Sequence, residues 1–145
     1  MRTIKFRGKA SRKDKDMWLY GDLIKIGDSY HIVGKDDMRE DGHHITQDSD
    51  IPTWVDEKTI GQFTGLLDKN GKEIYEGDYV EVSQGGFGGV VTWHLHGYFY
   101  IKEPYKFKYN EESDCLSLGE FTDNPKRKVT IVGNIHDNPE LIKGK

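Results

Sequence analysis

The chain has 145 residues, a net charge of −4, and 34% hydrophobic against 32% charged residues. That is one domain or two very small ones, and the three Trp, eight Tyr and six Phe exclude a wholly disordered chain. The lone Cys115 excludes an internal disulfide framework and a multi-cysteine zinc site, and no apolar run approaches the ~18 residues of a spanning helix.

The sequence therefore predicts a soluble cytoplasmic protein with no signal or membrane segment. Its core is thin, and small cores often gain stability from oligomerisation. Charge is unevenly spread. Residues 1–16 carry seven basic and two acidic side chains, and the remainder carries 14 basic and 23 acidic. A basic arm on an acidic body can touch phosphates, but a solvated strand and turn is the preferred reading.

In chain order, Ile4 and Phe6 alternate with Thr3, Lys5 and Arg7, which predicts a half-buried strand. WLYGDLIKIG and SYHIVG predict a hairpin across Gly27-Asp28. Residues 35–52 read as a charged loop with a strand pair near His44 to Thr46, and TWVDEKTIGQFTGLLD returns to strand. DKNGKEI starts like a calcium loop at Asp68. However, the fifth position is Lys72, the sixth is Glu73 where glycine is needed, and the twelfth is Tyr79 where a glutamate is needed. Asn70-Gly71 instead predicts a hairpin with a type I′ turn.

EGDYVEV begins the next strand, and QGGFGG reads as a flexible hairpin loop. VVTWHLHGYFYI reads as one strand bent at Gly97, with Val91, Trp93, Leu95, Phe99 and Ile101 on one face. Tyr105 to Phe121 reads as strand, acidic turn, then strand or one helical turn. KVTIVGNI closes the sheet, and DNPELIK predicts a short terminal helix capped by Asn138. Gly21-Asp22 and Gly77-Asp78 open similar strands, and IGQF at 60–63 resembles VGNI at 132–135, a hint of duplication. The expected fold is all-β: two small barrel-like units, residues 1–66 and 67–145, the second SH3-like with a short C-terminal helix.

His94-Leu95-His96 is the sharpest chemical candidate. At strand spacing both imidazoles face one way and can share a metal, but zinc needs a third ligand and Thr92, Tyr98 and Tyr100 are poor ones. Half-exposed histidines beside aromatics are the preferred reading. His43-His44 in an acidic loop is a poor chelate. GGFGG lacks the helix and lysine of a phosphate loop. Glu73, Glu76 and Asp78 read as a solvated turn, with Asp78 bonding backbone amides. Cys115 has no basic neighbour to activate it. Trp18, Trp54 and Trp93 suit core and subunit contacts better than base stacking on an acidic body. Lys126-Arg127-Lys128 reads as a hairpin tip.

FRGK at 6–9, WLYGDL at 18–23, TIGQFTGLLDKNGKEIYEGDYV at 59–80 and VGNIHDNPEL at 132–141 together resemble the YopX family of phage and prophage proteins. The resemblance runs over almost the whole chain. It implies a mainly β fold, self-association and no catalytic residues to transfer. The expectation is a phage- or prophage-encoded, non-enzymatic β-module in the bacterial cytoplasm. It would have no cofactor and no metal, and would act by homo-oligomerisation or by binding a host or phage protein. Two alternatives stand beside it. One is a nucleic-acid accessory protein using Arg2 to Lys15, and the other a metal-dependent enzyme at His94 and His96.

Overall fold

The computed structural model of the chain describes residues 2–11, 17–34, 54–83, 87–102 and 117–142. These are mostly strand, arranged in antiparallel sheets, with a single short α-helix among them. The chain divides into two compact units, Met1–Phe63 and Thr64–Lys145, and the boundary falls inside one strand.

Unit 1 contains β1 (Phe6–Lys9), β2 (Trp18–Ile26), β3 (Ser29–Val33), β4 (Trp54–Val55) and the start of β5 (Gly61–Leu67). β2 pairs with β1 and β3, and β3 pairs with β4. The ring then returns to its beginning. Val55 bridges Ala10, the Asp56 amide donates to the Lys9 carbonyl at 2.9 Å, and the Ser11 amide donates to the Trp54 carbonyl at 2.9 Å. These bonds occupy backbone groups that an open edge would expose. The approach is close enough that a Cβ on Gly8 would lie 3.0 Å from Val55 Cβ and 3.2 Å from Ile32 Cδ1. Only glycine fits there without displacing its neighbours.

Unit 2 contains the end of β5, β6 (Glu73–Tyr75), β7 (Asp78–Val82), β8 (Phe87–His94), β9 (Tyr98–Lys102), α1 (Leu118–Thr122) and β10 (Val129–Asn134). Four strands form a sheet in the order β10-β7-β8-β9. Alternation places Val80 and Val82 on its inner face with Val91, Phe99 and Ile101. The single turn of α1 adds Leu118 and Phe121, both fully buried, three residues apart and so on one helical face. Ser117 caps that turn by accepting from the Glu120 amide.

The all-β expectation holds, and several local readings change. VVTWHLHGYFYI is not one bent strand. It is the β8–β9 hairpin, with Val91 opposite Ile101 and Trp93 opposite Phe99. The glycine-rich stretch is loop only in part, because Gly88 and Gly89 belong to β8 and pair with Glu81 and Val80. A Cβ on Gly89 would lie 2.4 Å from the Lys102 carbonyl, so strand proximity selects glycine there. The terminal helix is a single 3₁₀ turn, Pro139–Leu141. Asn138 does not cap it with its side chain, because its Oδ1 accepts from the Asn134 amide instead. The two Gly-Asp steps also differ. Gly21 sits in the middle of β2 opposite Phe6, whereas Gly77 lies in the turn before β7. The strand pair near His44, Cys115 and the Tyr105–Tyr109 segment lie outside the described residues.

Candidate functional site

Hairpin chemistry accounts for the sharpest sequence motif. At 68–72 the Asp68 amide donates to the Lys72 carbonyl, and the Gly71 amide donates to the Asp68 carbonyl. The loop therefore has three residues, Lys69-Asn70-Gly71, and not the two of a type I′ turn. Gly71 at φ +80° supplies the left-handed residue that closes it. Asp68 Oδ1 accepts from the amides of Asn70 and Lys72 at 2.8 and 3.0 Å.

The β8–β9 hairpin repeats this plan with a histidine in the aspartate's place. The Gly97 amide donates to the His94 carbonyl at 2.8 Å, and the His96 amide donates to His94 Nδ1 at 3.1 Å. An Nδ1 that accepts carries no proton, so the neutral ring has its proton on Nε2. His94 also stacks on Tyr98, ring centroids 4.7 Å apart and 16° from parallel, and meets His96 edge-on at 4.8 Å. The structure thus brings His94 and His96 together as a turn-closing pair. Among the described residues no group of three or more His, Cys, Asp or Glu side chains is placed to hold a metal. His43 and His44 lie outside the described residues.

The acidic turn is not solvated as the sequence implied. Asp78 is buried, and its Oδ2 accepts from the Tyr75 amide at 2.8 Å, which ties β6 to the start of β7. Tyr75 is buried too, and its hydroxyl donates to Glu73 Oε2 at 2.8 Å. Burial raises the pKa of the Glu76 carboxyl from its ordinary value. The polar residues hid this burial in the sequence. The available signal was the run Ile74-Tyr75, which carries a core strand directly into the turn.

The basic N-terminal segment is also drawn into the fold. Arg7 is buried, with its guanidinium carbon 4.6 Å from the Trp18 ring centroid, and Lys9 Nζ lies 5.5 Å from the same ring. Lys5 Nζ lies 5.3 Å from the Phe63 ring. Arg12, Lys13 and Lys15 lie outside the described residues. Of the segment's described cations, these three contact aromatic rings of unit 1.

Among the described residues, the outer face of unit 1 carries several exposed apolar side chains. β2 alternates, so Trp18, Tyr20, Asp22, Ile24 and Ile26 share one side. Ile24 faces His31 on β3, and His31 faces Trp54 on β4, the two rings 5.7 Å apart. Tyr20 is 49% exposed, Ile26 61% and Trp54 39%. In unit 2, Trp93 packs edge-on to Phe99 at 4.7 Å while Leu95, at the hairpin tip, stands almost fully in solvent.

The YopX protein family model matches residues 5–143. The chain belongs to the YopX family. No curated protein matches this member. Among solved structures it is similar to the crystal structure of protein EF1440 from Enterococcus faecalis, at 19% identity and a TM-score of 0.42, over 98% of this chain and 99% of that one. No described helix of this YopX protein is long and apolar enough to cross a membrane.

Proposed function

We propose that this YopX protein is a non-enzymatic β-module that associates with a second copy of itself through the outer face of unit 1. The observation that carries this is the row Tyr20, Ile24, Ile26 and Trp54, apolar side chains held in solvent on one side of a closed strand ring. Large apolar side chains exposed together on one face mark association sites. The face carries both signs, Asp22 between Tyr20 and Ile24 on β2 and Lys9 opposite Trp18 on β1. A two-fold contact places a patch against itself, so Asp22 of one copy can face Lys9 of the other. A binding role rather than catalysis is supported by the candidate chemical groups, which hold turns: Asp78 with the Tyr75 amide, and His94 with the His96 amide. Membership of the family supports placing the protein among phage- and prophage-encoded components of the bacterial cytoplasm.

Light scattering behind a sizing column tests the proposal. The expected result is a defined oligomer that Ile26→Lys and Ile24→Lys convert to the 16.7 kDa monomer with an unchanged circular dichroism spectrum. A wild-type monomer at high protein concentration overturns self-association and turns the search to a host or phage protein.

A further inference from the structure

Unit 2 contains a cleft of about 420 Å³ between two loops distant in sequence, the 68–72 hairpin loop and the segment joining α1 to β10. Lys69, Arg127 and Lys128 stand on its walls. Local bonds hold both loops. The Lys69 amide donates to the Val129 carbonyl at 2.9 Å, and the Ile131 amide donates to Asp68 Oδ2 at 3.3 Å. Asn124 fixes the second loop, accepting from the Lys126 amide at its side chain and from the Arg127 amide at its carbonyl. The Arg127 guanidinium carbon lies 5.5 Å from the Phe121 ring, which anchors that cation over a buried side chain.

The charge in the cleft is unbalanced. Asp68 is its only acidic lining residue among those described, and both its oxygens already accept backbone amides: Asn70 and Lys72 at one, Ile131 at the other. Three cations on facing walls repel each other, and an anion between them relieves that repulsion. Asn70 and Asn124 add side-chain amides to the lining, Leu67, Pro125 and Val129 complete it, and no lining residue has an aromatic ring on which a base could stack. This arrangement suits a compact polyvalent anion better than an apolar ligand.

We infer that this cleft is an anion site that recognises a phosphate group through Lys69, Arg127 and Lys128. It lies within unit 2 and far in sequence from the basic N-terminal segment. Arginine contributes a planar pair of donors to phosphate oxygens, and the two lysines contribute point charges.

The test is a titration of the ¹⁵N-labelled full chain with sodium pyrophosphate at low ionic strength, with sodium chloride matched for ionic strength as the control. The site predicts saturable amide shifts confined to Lys69, Asn70 and residues 127–129, and a rise in Tm with pyrophosphate but not with chloride. Lys69→Gln with Lys128→Gln should weaken binding at least about tenfold. The same variant should leave the ligand-free Tm equal or higher, because repulsion is removed. A single-stranded oligonucleotide in the same titration identifies the source of the phosphate. Competition with pyrophosphate indicates a nucleic-acid backbone, and pyrophosphate binding without competition indicates a free phosphate compound. Absence of saturable shifts in pyrophosphate, or shifts that persist unchanged in the double variant, overturns the site.

Discussion

In unit 2, apolar side chains from Ile74 to Val129 meet in one buried cluster, closed by the two inward residues of α1. In unit 1 the described buried apolar residues are fewer, Ala10, Ile32, Val33, Val55 and Phe63, and Arg7 is buried too, over the Trp18 ring. Its large apolar groups, Tyr20, Ile26 and Trp54, are on the outside. Unit 2 is held chiefly by burial, whereas unit 1 is held by backbone closure and by cations over rings. The exposed apolar groups of unit 1 are the feature on which the proposed self-association rests.

If burial holds unit 2, removing core atoms should break it. Phe121→Ala should cost about 3–5 kcal/mol, since it leaves a cavity at a position with no exposure to solvent. Denaturant unfolding followed by Trp93 fluorescence, with the other two tryptophans replaced, reads this directly. A loss under about 1 kcal/mol would mean that α1 is not part of the core.

If closure holds unit 1, adding atoms should break it. Gly21 has φ +156°, and a Cβ there would lie 2.0 Å from the Val33 carbonyl oxygen. Gly21→Ala must separate β2 from β3, at about 3 kcal/mol from strain and overpacking. Trp18 and Trp54 report this unit. An unperturbed midpoint would show that the β2–β3 register tolerates a shift.

The Asp78 turn is the next largest effect expected, and it belongs to unit 2. Asp78→Asn removes the charge from a buried hydrogen bond to the Tyr75 amide and should cost about 2 kcal/mol. The same change at exposed Asp22 on unit 1 should alter stability by less than about 0.5 kcal/mol. Equal effects at the two sites would remove the contrast between a buried structural carboxylate and a surface one.

These cases show what a sequence reveals here. Strand existence was legible because β2, β7 and β10 alternate or run β-branched, and Asp78 was legible as a turn former. The hairpin at Asn70-Gly71 was legible as a hairpin, but its loop length was not, because that depends on which backbone groups Asp68 captures. The bond from the His96 amide to His94 was hidden for the same reason. A histidine that accepts a backbone amide two residues on looks, in sequence, like half of a metal site. Burial of Arg7 was hidden because it depends on Trp18 across a strand pair. The basic cleft was hidden because Lys69 and Arg127 are brought together by bonds between segments distant in sequence, Lys69 to Val129 and Ile131 to Asp68. Local hydrophobic period survives translation into sequence, while partner choice across long separations does not.

The smallest expected effect concerns Glu76. Half-burial raises its pKa in the folded protein above the value in the unfolded chain. At acid pH the carboxyl is protonated in both states and costs nothing. As pH rises through the ordinary carboxylate range the unfolded chain ionises first, so the folded state binds the extra proton and stability falls until the raised pKa is passed. Glu76→Gln stays neutral throughout. The Tm difference, variant minus wild type, should therefore increase from acid to neutral pH and then level off. Because the side chain is only half-buried, solvent screens the ionised form and the change should be small. A difference that is constant across this range would show that the carboxylate is as well solvated in the fold as in the unfolded chain. The turn between β6 and β7 would then bury Asp78 alone.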